Sequence, residues 1–139
     1  MIGLYDVADN YRRLGEYPSH GIGPHELILM PDGQTLAIAN GGIRTHPDHG
    51  RAKLNLGSMK PSLVFADIAA GQHLDQADLP ESQLSIRHLT MLRGGRIAIA
   101  LQFEGAKTAD VPLVAIHDGA GIKTLSAPQK IQHLSLIHI

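Results

Sequence analysis

The sequence has no cysteine. Disulfides, thiolate zinc sites and cysteine nucleophiles are therefore excluded. It has no tryptophan, two phenylalanines and three tyrosines, too few for a platform on which bases or sugars stack. No apolar run approaches the roughly 18 residues that a membrane-spanning helix needs, so no span is expected. An excess of one charge is also missing. Twelve Lys and Arg stand against 13 Asp and Glu, a net −1 with the nine His neutral. That balance excludes a polycationic nucleic-acid binder and an acidic tail protein, and nucleic acid is not an expected partner. The start, Met1-Ile-Gly-Leu-Tyr-Asp, has neither a basic stretch nor a long apolar core and does not read as a signal peptide.

What is present is a chain of 139 residues, the size of one domain, with 43% hydrophobic and 18% charged residues; this excludes wholesale disorder. Its apolar residues alternate in short runs, the strand period. Ten runs stand out: 2–7, 11–17, 26–30, 35–40, 62–67, 73–79, 86–92, 96–103, 112–117 and 122–126. Between them lie Asp9-Asn10, Asp32-Gly33, Ala70-Gly71, Gly94-Gly95 and Asp118-Gly119, residues that tolerate the positive φ of tight hairpin turns.

The runs repeat. HELILMPDGQTLAIAN from His25 resembles HLTMLRGGRIAIAL from His88, and SLVFADIAAG from Ser62 resembles PLVAIHDGAG from Pro112. Each copy is two hairpins, hence four strands, and residues 1–19 add one further hairpin. Four-stranded units in series are the pattern of β-propeller blades. The fold expected is all-β: a partial β-propeller of about ten antiparallel strands, in two four-stranded blades plus a leading hairpin. Residues 1–19 would end a preceding blade, 20–80 and 81–128 would each form a blade, and 129–139 would be a tail. A small ten-stranded sandwich or barrel is the alternative.

In an up-and-down meander, successive connections alternate between the two ends of the sheet. The tight turns thus share one face, and the longer connections 18–24, 41–61, 80–85 and 104–111 share the other. The candidate ligand-binding residues lie on or beside this long-loop face: His20, His25, Glu26, Arg44, Asp48, Arg51, Arg87 and His88. His25 and His88 open equivalent strands, which would line a central channel; they suit a bracing role as well as a binding one. His46-Pro-Asp-His49 is the most ligand-like cluster for a transition metal ion, because imidazole and carboxylate suit zinc, copper or iron. The same residues could instead hydrogen-bond the loop to itself. Arg44, Arg51, Lys53 and Lys60 give the long loop a local positive excess suited to an anion, such as a carboxylate siderophore, or an acidic protein surface. No dinucleotide fingerprint, phosphate loop or nucleophile elbow is present. His73, His117 and His133 read as surface residues. The Ala-rich strands 35–39 and 96–100 suit close packing between blades.

The strings SHGIGPHEL, ANGGIRTHPD and GRAKLNL are long and specific. On them the chain, from Gly3 to about Pro128, resembles the bacterial family known as domain of unknown function 1513. The resemblance implies a seven-bladed, YVTN-like or WD-repeat-like propeller. It also implies twin-arginine export to the periplasm and gene neighbours concerned with iron uptake. The ending Leu134–Ile139 does not resemble the family and is set aside as non-native. Three readings follow. The first is a periplasmic binding or scaffolding module associated with iron uptake, engaging a periplasmic protein or a metal-bearing ligand. The second is a metal-dependent, lactonase-like hydrolase, for which Glu26 and Asp48 are the only evident carboxylates on the long-loop face. The third is a truncated fragment without activity of its own, the remaining blades being absent.

Overall fold

The computed structural model describes residues 1–50, 52–81, 83–105 and 111–126, with the backbone alone at His49. Among them are ten strands: β1 (Ile2–Asp6), β2 (Arg12–Tyr17), β3 (Pro24–Leu29), β4 (Thr35–Asn40), β5 (Ser62–Asp67), β6 (His73–Asp78), β7 (Leu84–Met91), β8 (Ile97–Phe103), β9 (Val114–His117) and β10 (Ile122–Leu125). Among the described residues helix is confined to three short 3-10 turns, at Pro47–His49, Leu56–Ser58 and Arg93–Gly95. All pairing is antiparallel. The strands form a β1-β2 hairpin and two four-stranded meanders, β3-β4-β5-β6 and β7-β8-β9-β10. The protein is all-β, in an arrangement consistent with part of a β-propeller. The first strands of the two meanders meet, with β7 packing on β3 and β4.

The middle sheet has two apolar faces, so the apolar residues of β4 and β5 follow one another without a polar face between them. Their alternate residues enter different cores. Ala37, Ala39, Leu63 and Phe65 join Leu84, Ile86, Leu89, Ile97, Ile99 and Leu101 of the last sheet. Leu36, Ile38, Val64 and Ala66 join Ile2 and Tyr17 of the hairpin. The alanines let β4 approach β7 closely, as the Ala-rich pattern predicts. His117 corrects the reading of it as a surface residue: it is 7% exposed, its ring packed at 5.1 Å on that of Phe65.

Turn chemistry follows the sequence. Asp32 accepts from the backbone N–H groups of Gln34 and Thr35 and from the Thr35 hydroxyl, and Gly33 takes φ +69°. Asp67 accepts from the backbone N–H groups of Ala69 and Ala70, and Asp118 from that of Ala120. Gly71 has two reasons to be glycine: φ is +64°, and a Cβ there would lie 2.1 Å from Tyr17 Cγ.

Both first strands carry a β-bulge near their start, between Pro24 and Glu26 in β3 and between Ile86 and His88 in β7. Glu26 pairs with Ala39 and His88 with Ala100; Leu27 pairs with Ile38 and Leu89 with Ile99. The repeat is therefore offset by one residue from the alignment that superposes His25 on His88. Arg87 is the equivalent of His25, and His88 is the equivalent of Glu26. The cause is the hairpin link, which spans residues 31–34 in the middle sheet but only 93–95 in the last.

Candidate functional site at the start of the first strands

A bulge leaves one residue outside the ladder and re-aims its side chain. Here the two bulged residues, His25 and Arg87, are turned toward each other. Arg87 Nη1 lies 2.7 Å from His25 Nε2. A guanidinium only donates, so this imidazole nitrogen accepts and the ring is neutral. Burial holds the His25 pKa below its ordinary value, and the charges of Arg87 and His88 add to the effect against the opposing pull of Glu104.

The other nitrogens of Arg87 lead inward. Nη2 donates to Glu104 Oε1. Glu104 closes β8, and its side chain is 2% exposed. Its second oxygen receives Lys53 Nζ at 2.6 Å. Burial alone would raise the Glu104 pKa, but hydrogen bonds from Lys53 and Arg87, and their charges, hold it below the ordinary carboxylate value. Lys53 comes from the long connection 41–61, so this one carboxylate joins three segments distant in sequence. Ser85, fully buried, and Arg87 Nε have no hydrogen-bond partner among the described residues. Gly41 lies against Ser85 and His25: a Cβ there would sit 2.5 Å from Ser85 Oγ and 2.7 Å from the His25 ring.

Glu26 and His88 form the outer pair. Glu26 Oε2 accepts from the Leu89 backbone N–H and lies 3.6 Å from His88 Nδ1. The two sheets are thus joined at their first strands by two polar bridges, His25 to Arg87 and Glu26 to His88. An open groove of about 360 Å³ adjoins them, lined by Met1–Gly3 and Pro24–Leu27.

Of the residues expected to bind, the structure brings together His25, Glu26, Arg87 and His88. His20 goes elsewhere: its Nε2 is 2.8 Å from the Gly71 carbonyl oxygen, and its ring meets that of His73 edge-on. That position ties the 18–24 connection to the β5–β6 turn. Arg44 is exposed, its backbone N–H held by Asn55 Oδ1. His46 caps the short helical turn after it, its Nδ1 accepting from the Asp48 N–H at 3.3 Å and lying 3.4 Å from Asp48 Oδ2. Arg51 lies outside the described residues, as do the side chain of His49, the ending Leu134–Ile139 and His133. Among the described residues no three His, Asp or Glu side chains converge to hold a metal ion.

Sequence reasoning missed Glu104 and the structural use of Lys53. The available signal was a lone carboxylate closing the apolar run 96–103 on the long-loop face, and Glu104 corrects the count of carboxylates there. It also missed Asn55, whose side chain donates to the Gly42 carbonyl and accepts from the Arg44 N–H. Asn55 thereby folds the long connection back on itself.

The profile of the family described as "Protein of unknown function (DUF1513)" matches residues 1–137. The chain belongs to this family. The match to DUF1513 runs into the ending that sequence reading set aside, through Ile137. No curated protein and no solved structure matches the chain.

Proposed function

We propose that this DUF1513 chain is a non-enzymatic binding module of propeller type, with its ligand site where β3 and β7 begin. The observation that carries this reading is the convergence of His25, Arg87, Glu104 and Lys53. A buried carboxylate fixes two cations, one of which holds a neutral imidazole, so donors and acceptors are set in place before any ligand arrives. Such preorganisation lowers the ordering cost of binding. Half-exposed Glu26 and His88 form the outer rim. A hydrolase at this place has less support. The metal-dependent reading needs carboxylates converging with imidazoles on one ion, and among the described residues no three such side chains do so. The family resemblance supports a periplasmic setting beside iron acquisition, with a metal-bearing carboxylate chelate or a periplasmic protein as ligand.

The test is a thermal melt of the chain with citrate, with ferric citrate, and with iron, zinc or copper salts alone. A ligand that binds only the folded state raises the midpoint. Ferric citrate is expected to raise it in the wild type, and Arg87→Met or His88→Ala to abolish the rise. A midpoint indifferent to every probe overturns a chelate-binding role.

A further inference from the structure

We infer that the junction of His25 and Arg87 is an acid-gated site for a small oxyanion, such as the carboxylate of a ligand. This rests on the reading of the same place as a ligand site, and it gives that site a ligand chemistry and a pH range. With His25 neutral, the junction offers little to an anion. Arg87 Nη1 lies 2.7 Å from His25 Nε2, and Nη2 donates to Glu104, so both ends of the guanidinium are engaged. The fixed charges also balance: Arg87 and Lys53 stand against Glu104 and Glu26. Protonation of His25 changes both conditions. Its Nε2 then carries a hydrogen and cannot accept, and a guanidinium cannot accept either. Two cationic donors are left face to face across a 2.7 Å contact. An oxyanion that enters between them accepts from both, and charge-assisted bonds of this kind are the strong ones. Arg87 keeps its place for that role, because Glu104 holds it from within the fold and has a side chain only 2% exposed. His25 is exposed, so the anion reaches the pair from solvent.

The neighbouring groups decide the range over which this holds. Around His25 stand Glu26 on its own strand, Arg87 and His88 on β7, Glu104 at the end of β8, and Lys53 behind Glu104. Strand β4 leads into Gly41 at the ring, and Met1–Gly3 across the groove bring no ionisable side chain. The outer bridge responds to acid in the opposite sense. His88 Nδ1 lies 3.6 Å from Glu26 Oε2, and protonation of His88 turns that contact into an ion pair. The two sheets therefore stay joined while the inner bridge opens, and Glu26 is neutralised as the junction turns cationic. Burial and the Arg87 charge place the His25 transition below 6.5. Lys53 and Arg87 hold Glu104 ionised to below 4.5. Acid that charges His25 thus leaves the anchor of Arg87 intact, and the site gains affinity for an anion as the pH falls between these limits.

The probe is sodium sulfate, compared with sodium chloride at equal ionic strength so that screening is the same. Sulfate is fully ionised throughout this range. The imidazole signals of the intact protein are followed by NMR as the pH is lowered. Sulfate is expected to raise the His25 titration midpoint by about one pH unit, a tenfold gain in proton affinity, and Arg87→Met to abolish that rise. His25→Gln cannot take the charge, and it should lose the sulfate-induced gain in urea midpoint that the wild type shows at about pH 5. A His25 midpoint equal in the two salts would overturn the proposal. So would a rise that Arg87→Met leaves intact, or an equal rise at exposed His73, which lies on β6. Ferric citrate separates this inference from the reading beneath it. If ferric citrate stabilises the protein while sulfate leaves His25 unmoved, the binding module stands and the acid gate falls. If sulfate moves His25 and ferric citrate does nothing, the oxyanion site stands and the chelate-binding role falls.

Discussion

Glu104 is the residue on which the site turns. Removing one partner of a buried ion pair leaves the other charge without compensation, typically about 3–5 kcal/mol when all partners are buried. Lys53 is 42% and Arg87 22% exposed, so water screens part of that cost. Glu104→Gln is expected to destabilise by about 1–3 kcal/mol in urea titration. The same variant removes the carboxylate charge that opposes Arg87 at the His25 ring, so the His25 pKa should fall further, read by NMR.

The direction of pH dependence follows from the same groups. His25 and His117 are both held below the ordinary value of 6.5, chiefly by burial. Protonation therefore favours the unfolded chain. Their contribution is complete above 6.5 and declines as the pH falls through that value. Glu104 is held below its ordinary 4.5, so its contribution is present above 4.5 and is lost at lower pH, toward its folded-state value. Urea midpoints should be flat between pH 7 and 8, fall as the pH drops below 6.5, and fall further below 4.5. His25→Gln and His117→Gln should each flatten the first decline only. If neither does, the assignment of that decline to these rings is wrong.

At the scale of the element, the long connection 41–61 depends on Asn55. Its amide reaches across to two backbone groups on the opposite arm, the Gly42 carbonyl and the Arg44 N–H, while Leu54 beside it is 51% exposed. Asn55→Ala is expected to cost about 1–2 kcal/mol. It should also speed tryptic cleavage after Arg44 and Lys53 severalfold, with the strands remaining intact. The strands themselves were legible in the sequence: all ten runs correspond to strands, with bounds that differ by a few residues at most. Alternation and turn residues are local signals, and both survive without a partner in view. The bulges were not legible. A one-residue irregularity leaves no mark in the apolar pattern, and the shorter link at Arg93–Gly95 conceals it, so His25 aligned with His88 when its equivalent is Arg87. Glu104 and Lys53 escaped for another reason: their meeting is a fact of two distant loops. His46 and Asp48 attracted notice through adjacency, which marks a local cap as readily as a site.

At the scale of the whole molecule, the repeat makes a paired prediction. Leu89→Ala removes a fully buried side chain and should cost about 2–5 kcal/mol. Leu27→Ala, at the equivalent place in the repeat, should cost less than about 1 kcal/mol. Similar losses at the two positions in denaturant titration would contradict the difference in burial, Leu89 being 0% and Leu27 43% exposed. The two-core arrangement also accounts for the apolar content of β4 and β5, which enter a core on each face. Composition records how apolar a strand is, and only the neighbours decide how much of it stays wet.

The shared bulge has a consequence for how such a chain can diversify. It sets one side chain per sheet outside the ladder and outside both cores, at the same height in each repeat, and that position already holds imidazole in one copy and guanidinium in the next. Substitution there need not disturb the hydrophobic layers. A row of sheets built on this plan carries one interchangeable position per sheet, so the fold can be inherited unchanged while its recognition surface is rewritten one repeat at a time.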